Sequence, residues 1–275
     1  MMLPIRTLEI AAWGLDDYEF RPHALSRRKN REARRLVAER PPFESLDPVC
    51  VDETIAFREA FDRHISRRDL QTEMLGLDWS LGIVDLRRLL AFQRRLSFNP
   101  KLSPVTVPRQ SDWPGLMDIA FASRDPVSCE VVRDAARNTV IFRSTNPNLH
   151  VRATDDPGAP ISVDSGSPFF EVASYRNRWF LRDGYHRAYA LLRAGVFRLP
   201  AVIVKASNLG ELGAIKPWFF TESVLLGEQP PFVTDFLNGS LTIEYDRPPI
   251  VKTLRVTIEE SIATVQPTQL SGVQP

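Results

Sequence analysis

Apolar residues recur at helical spacing in three segments of the first hundred residues, namely 24–40, 51–66 and 83–96. Spacings of three and four residues place such side chains on one face of a helix. Ser26 is placed to cap the first segment, and two prolines follow its end, where a helix cannot continue. The pattern therefore predicts a mainly helical N-terminal region over residues 1–125.

A different pattern occupies the segment between residues 169 and 205. Short apolar runs at 169–174, 179–181 and 199–205 are typical of strands, because they are rich in aliphatic and aromatic residues and are bounded by turn residues. Residues 186–194 have helical spacing and end before Gly195, which suits the position after a helix. The predicted order is strand, turn, strand, helix, strand.

The remaining segments give weaker signals. Four prolines make 98–114 a loop. Residues 129–136 favour a short helix, 139–142 a strand and 144–168 a long polar loop. Alternating exposure over 240–264 predicts further strands.

Together these elements predict an α+β fold. We expect a small mixed sheet containing the strand-turn-helix-strand core, with the helical region preceding it. The expected divisions are a helical region at 1–125, an α+β domain at 126–265 and a disordered, Pro- and Gln-rich tail at 266–275.

Composition limits the function classes. The chain has 275 residues with 35 basic and 34 acidic side chains, a net charge of +1, which argues against a general nucleic-acid coat. Cys50 and Cys129 lack the spacing of a zinc ribbon or a disulfide framework and favour a reducing compartment. The four histidines lack metal-ligand spacing, and no metal-binding residues are predicted. Residues 1–10 do not resemble a secretory signal and no long apolar run exists, so we expect a cytoplasmic protein without membrane contact.

The helix at 24–40 is rich in arginine and has two interpretations. It could bind phosphates of a nucleic acid, or it could be a solvated helix face whose charge is diluted by Glu32 and Glu39. No aromatic residue is interleaved for base stacking. Both interpretations remain open at this point.

The segment 183–187 (DGYHR) carries the clearest candidate chemistry. The first turn of a helix has free N–H groups and partial positive charge, which suit a phosphate or a carboxylate. Gly184 would let a ligand approach the backbone, and Arg187 could add a bidentate donor. His186 can titrate near neutral pH, and Asp183 could orient it, bind a metal or cap the helix.

The segment FLRDGYHRAYALLRAGVFRLPAVIV resembles the core of the ParB/sulfiredoxin superfamily. In that family a strand ends in a Gly-containing turn that finishes with Arg, and an Ala/Leu-rich helix, a Gly and a Pro-flanked aliphatic strand follow. Here the turn runs from Gly184 to Arg187, the second glycine is Gly195 and the strand covers 200–204. The resemblance covers about 37 residues, 169–205.

The resemblance implies a phosphate cradle for ATP or CTP, with Mg²⁺ as a possible companion. Gly184, Tyr185, His186 and Arg187 would line it. A faint echo of the family's arginine box at 146–152 adds Arg152 as a ligand-binding residue. Tyr185 stands where sulfiredoxin has its nucleophilic cysteine, so sulfiredoxin activity is not expected.

Three functions follow as hypotheses. The first is a nucleotide-dependent enzyme or switch whose reaction the sequence does not specify, with Asp183, His186 and Glu171 as catalytic candidates. The second is a non-catalytic regulatory module that binds an anion or other phosphate-bearing molecule. The third is a protein associated with DNA or RNA through the basic helix.

Overall fold

The computed structural model describes residues 3–14, 18–100, 104–124, 127–153, 158 and 161–262. It confirms the α+β class, with helices and strands in small mixed sheets. The helices are α1 His23–Ala38, α2 Val51–Ala56, α3 Arg58–Ile65, α4 Arg68–Glu73, α5 Trp113–Ala120, α6 Tyr185–Arg193, α7 Leu209–Leu212 and α8 Glu222–Leu225. The strands are β1 Ile5–Ile10, β2 Asp78–Asp85, β3 Arg95–Phe98, β4 Glu130–Asp134, β5 Thr139–Ser144, β6 Leu149–Ala153, β7 Ile161–Ser165, β8 Glu171–Tyr175, β9 Arg178–Asp183, β10 Arg198–Lys205, β11 Thr242–Arg247 and β12 Lys252–Thr257.

The chain divides into two compact units. Residues 1–125 and 167–249 form the first unit, and residues 126–166 and 250–275 form the second. This differs from the division expected from the sequence, in which 1–125 stood apart from 126–265. The expected tail at 266–275 lies outside the described residues.

The first unit is organised around a four-stranded sheet in the order β2-β10-β8-β9. Strand β10 runs antiparallel to β2 and parallel to β8, while β8 and β9 form an antiparallel hairpin. The six residues from Leu199 to Val204 of β10 are all buried, as expected for a strand covered on both faces. Helix α6 connects β9 to β10, so the predicted strand-turn-strand-helix-strand order is confirmed.

A second sheet of the same unit has the order β11-β1-β3 and contains a buried ionic cluster. Glu9 on β1 is fully buried and accepts hydrogen bonds from Arg21 at 2.6 and 2.8 Å. Arg95 on β3 and the Tyr245 hydroxyl on β11 donate to the same carboxylate at 3.0 and 2.8 Å. One buried carboxylate thus joins all three strands of this sheet, and its partners satisfy it in the interior.

The prediction of a mainly helical N-terminal region is wrong in one respect. Residues 83–96 do not form a helix. Instead, β2 ends at Asp85, a 3₁₀ turn covers Leu86–Arg88, and β3 begins at Arg95. The apolar run between them is buried, and Leu90 exchanges backbone hydrogen bonds with β9 residues Trp179 and Leu181. Pairing with strands from the other half of the chain overrides the local helical periodicity.

Other N-terminal predictions are confirmed or refined. The helix predicted at 24–40 is α1, although it begins at His23 and Ser26 lies within it. The helix predicted at 51–66 is interrupted at Phe57, which separates α2 from α3.

The second unit contains a three-stranded sheet in the order β12-β5-β4 and a hairpin of β6 and β7. The strand expected at 139–142 is confirmed as β5. The helix expected at 129–136 is wrong, since β4 occupies most of it and pairs with β5. The segment 144–168, expected to be a loop, contains the β6–β7 hairpin. No helix in the described ranges has both the length and the apolar character needed to cross a membrane.

Candidate functional site

The turn between β9 and α6 is fixed by Gly184. Its backbone has φ 96° and ψ 21°, a left-handed conformation that residues with a Cβ rarely adopt. A Cβ added at this position would lie 2.5 Å from Cδ2 of Phe170. Because Gly184 has no Cβ, the buried Phe170 ring can pack against its backbone in the space that a Cβ would occupy. The approach of a ligand to the backbone at Gly184 stays a prediction.

Helix α6 packs on the core through one apolar face. Ala188, Leu191 and Leu192 are buried, and the N–H of Ala188 donates to the Gly184 carbonyl at 2.8 Å. This first intrahelical bond leaves the N–H groups of the preceding turn without helical acceptors. Those of Tyr185, His186 and Arg187 have no acceptor in the part of the chain that the structure describes.

The side chain of Tyr185 lies in the protein core. The ring is buried, and its hydroxyl accepts the N–H of Phe92 at 2.9 Å. Burial raises the pKa of this phenol, so it stays protonated. Tyr185 is thus a core residue, and the expectation that its side chain binds a ligand is wrong. Its backbone N–H is still available.

Arg187 is bound mainly by backbone carbonyls. Its Nη1 donates to the carbonyls of Ile119 and Pro168, and its Nη2 donates to the carbonyl of Phe169 at 2.6 Å. Three of the five guanidinium hydrogens are used in this way. The remaining donors lie on Nε and Nη2, and Nη2 is 3.9 Å from Oδ1 of Asp183. Arg187 therefore ties α6 to the end of α5 and to the start of β8, and it retains one edge for further bonding.

His186 is an exposed residue at the surface of α6. Its Nε2 lies 3.0 Å from the carbonyl oxygen of Ser97, which fixes Nε2 as the donor and Nδ1 as the acceptor. Its ring meets Phe98 edge-on at 5.4 Å. Desolvation lowers the pKa of His186 and the charge of Arg187 adds to the shift, while the bond to Ser97 opposes it. Solvent access limits the size of this shift.

Glu171 is buried, with 1% of its side chain exposed. One carboxylate oxygen accepts a hydrogen bond from the Ser167 hydroxyl, and the other forms an ion pair with Arg182. Nε of Arg182 also donates to the carbonyl of Glu211 at 2.9 Å. Burial raises the pKa of Glu171, the charge of Asp183 adds to the shift, and Arg182 opposes it. Glu171 thus lies within a closed set of bonds.

Asp183 is the most accessible carboxylate of the turn. Its side chain is 47% exposed, and its Oδ1 accepts the N–H of Gly184 at 2.5 Å. Burial of the surrounding turn raises the pKa of Asp183, and the charge of Arg187 opposes the shift.

Ser167 and Arg182 are the residues that sequence reasoning missed. Arg182 stands in β9 beside Asp183, where its charge follows an apolar run and could have been noticed as a buried partner for Glu171. Ser167 lies four residues before Glu171 in a polar stretch and gave no distinguishing signal.

Arg152 belongs to the second unit. It lies on β6, with its Nε 3.5 Å from Oδ1 of Asp164. The 183–187 turn belongs to the first unit, so a site that it shares with Arg152 stays a prediction. Across the described ranges, histidine, cysteine, aspartate and glutamate side chains nowhere gather in a group of three that could hold a metal.

Comparison with protein-family models, with curated proteins and with solved structures finds no match to this chain. The assignment of a function therefore depends on the residues and geometry of the turn.

Proposed function

We propose that the turn at 183–187 binds the phosphate group of a nucleotide, such as ATP or CTP, or of another small phosphate-bearing molecule. This is the function that the resemblance to the ParB/sulfiredoxin superfamily implies. The observation that carries the proposal is the set of three N–H groups at the start of α6, on Tyr185, His186 and Arg187, which find no acceptor in the described structure. Such groups bind anions with the help of the helix dipole.

Arg187 supports the proposal with its remaining edge. Its Nε and Nη2 each keep a hydrogen, a side-on pair of donors that matches two oxygens of a phosphate. The three carbonyl bonds hold the guanidinium in place before the ligand arrives, which lowers the entropy lost on binding. We expect a phosphate to contact this edge and the N–H groups together.

Asp183 would place a carboxylate next to that phosphate. A carboxyl group whose pKa is raised can carry a proton and donate it to a phosphate oxygen, or it can act as an acid or base in a reaction. Asp183 could also bind Mg²⁺, because this ion takes one or two carboxylates together with phosphate oxygens. A proton on Asp183 or a Mg²⁺ ion bound to it removes the electrostatic repulsion between its carboxylate and the phosphate.

A second function, a non-catalytic regulatory module, is favoured by a specific observation. The side chains of Glu171, Tyr185 and Arg187 are engaged by protein partners, so the exposed groups left for chemistry at the turn are those of Asp183 and His186. A turn with this composition can bind an anion without converting it. An assay for the release of inorganic phosphate from a bound nucleotide distinguishes the two functions. Release indicates an enzyme, and binding without release indicates a non-catalytic module.

The binding test uses the full chain labelled with ¹⁵N. ATP, CTP, GTP, UTP and inorganic phosphate are titrated with and without Mg²⁺, and the amide signals of Tyr185, His186 and Arg187 are followed by NMR. We expect saturable shifts of these amides with at least one ligand. If no ligand in the panel shifts these amides, the proposal fails.

Two variants of the exposed His186 separate ligand binding from folding. A His186→Glu change adds negative charge to the first turn, which favours the helix dipole by about 0.3–1 kcal/mol but repels a phosphate. His186→Gln is the neutral control. We expect His186→Glu to bind about tenfold more weakly than His186→Gln, which corresponds to about 1.4 kcal/mol, without loss of stability. Equal binding by the two variants would place the ligand elsewhere.

A further inference from the structure

Helix α1 carries a surface of arginines, which we call the arginine face. Its members are exposed in the structure and belong to one helix: Arg27, Arg28, Arg31, Arg34 and Arg35. With 100° between successive residues, the five side chains fall within an arc of about 120°. The opposite side of the helix packs on the sheet through Ala33 and Val37, which are buried with Ile243 and Tyr245 of β11.

The part of the protein that the structure describes does not neutralise the charges on the arginine face. No ion pair joins any of the five to a described residue. The one acidic residue within α1, Glu32, lies outside the arc and is 3.8 Å from Nζ of Lys29. Since the whole chain has a net charge of only +1, five arginines on one face that form no ion pair with a described residue are a strong local concentration of charge. Such a surface attracts a polyanion.

We propose that the arginine face binds the phosphate backbone of duplex DNA without reading its sequence. This inference is independent of the phosphate-binding turn. From Arg27 to Arg35 the helix rises about 12 Å, close to the width of the B-DNA major groove, about 12 Å, so the guanidinium groups reach phosphates on both sides of it. Asn30, which could read an adenine, is instead bonded to the carbonyl of Ala11 at 2.6 Å.

The structure disfavours other polyanions on this face. A membrane-surface helix inserts its apolar side into lipid, but here that side is buried against the protein through Ala33 and Val37. Single strands are bound largely by aromatic stacking, and residues 27–38 contain no aromatic residue. Double-stranded RNA has a deep, narrow major groove that a helix cannot span in the same way. Duplex DNA is therefore the ligand to which the proposal commits.

The test measures fluorescence anisotropy of a labelled DNA duplex with the full chain over a series of salt concentrations. If all five arginines neutralise phosphates, the slope of log K against log salt is expected to be about −4.5. Matched single-stranded DNA, double-stranded RNA and vesicles containing phosphatidylserine serve as competing ligands. We expect weaker binding to each of them.

Two variants assign the binding to the arginine face. Arg27, Arg31 and Arg34 changed together to glutamine should weaken DNA binding about tenfold or more at low salt and reduce the slope by about 2.7. The same three changed to lysine should retain most of the binding, because the charge is kept. Helix propensities of arginine, lysine and glutamine are similar, so the fold should be preserved, as circular dichroism can verify.

The matched control changes three exposed arginines of the α3–α4 region to glutamine, namely Arg58, Arg63 and Arg68. This control loses the same charge at a different place and should bind DNA within about twofold of the unchanged chain. Equal weakening by the control, absence of duplex binding, or preferred binding of vesicles, single strands or RNA would each overturn the proposal.

Discussion

Glu171 and Asp183 are direct partners across the antiparallel β8–β9 hairpin, at the position where a β-bulge shifts the register. Two acidic residues are therefore paired at the entry to α6. The first is enclosed by Arg182 and Ser167, whereas the second meets solvent and the N–H of Gly184. Burial raises the pKa of Asp183 and the charge of Arg187 opposes the shift, so the charge of Asp183 depends on pH.

The raised pKa of Asp183 leads to a pH-dependent prediction. A folded-state pKa of Asp183 above its unfolded value, about 3.9, means that stability falls as pH rises between these two values. Asp183→Asn keeps an acceptor for the Gly184 N–H and removes the charge. We expect the variant to be more stable than the unchanged chain at pH 7, with the difference vanishing near pH 4, as measured by urea unfolding. The control is Asp62→Asn on exposed α3, and a less stable Asp183→Asn variant at pH 7 would contradict this account.

Arg187 is expected to be a determinant of stability as well as a ligand contact. Arg187→Ala leaves the carbonyls of Ile119, Pro168 and Phe169 without a buried donor, at a cost of about 3 kcal/mol. The exposed Arg193 on the same helix is the control, and its change to alanine should cost less than about 0.5 kcal/mol. Chemical denaturation measures both. An Arg187→Ala variant as stable as the control would show that these carbonyls do not need the guanidinium.

Gly184 and Gly195 form a matched pair for testing the turn. Both have positive φ, but a Cβ at Gly195 would meet nothing within 4 Å, whereas at Gly184 it would strike Phe170. Gly195→Ala should cost about 1–2 kcal/mol for the left-handed backbone alone. Gly184→Ala should cost about 1–3 kcal/mol more because the core must shift. Equal unfolding free energies for the two variants would mean that the Phe170 contact is unimportant.

The hydroxyl of Tyr185 gives a fourth prediction. Tyr185→Phe leaves the buried N–H of Phe92 without an acceptor and should cost about 1–3 kcal/mol of unfolding free energy. In Tyr175→Phe the lost bond is to Glu222, whose carboxylate is 36% exposed and keeps water as a partner. That control should cost less than about 1 kcal/mol. Thermal unfolding distinguishes the two, and a reversed order would refute the assigned role of the Tyr185 hydroxyl.

Local sequence patterns predicted those parts of the fold that are determined locally. The segment from β8 to β10 combines short apolar runs, a glycine at each end of α6 and a clear helical face, and its order of elements is confirmed, with bounds that differ by one or two residues. The helix predicted at 83–96 does not form because Ile83 and Val84 pair with β10 and Leu90 bonds to β9, and both strands follow much later in the chain. Helical periodicity in a short apolar run does not distinguish these cases.

The candidate site was predicted only in part for a similar reason. The position of the turn follows from Gly184 and the start of α6, which are neighbours in sequence. The hydrogen-bond partners of its side chains do not follow from neighbouring residues. Ile119 binds Arg187, Phe92 binds Tyr185 and Ser97 binds His186, and each partner is more than 60 residues away. Whether a donor faces a ligand or a carbonyl is decided by such distant segments.

Strand β1 has a consequence for how the protein acquires its structure. Ile5 pairs with Arg247 and Ile10 with Thr242, so β1 is synthesised long before its partner strand β11. On a ribosome the β11-β1-β3 sheet must wait until almost the whole first unit has emerged, while β8, β9 and α6 can associate as soon as residue 205 completes β10. Long-range pairing of this kind slows folding. Pulsed hydrogen exchange during refolding should therefore show protection of β8 and α6 before β1, and simultaneous protection would contradict this order.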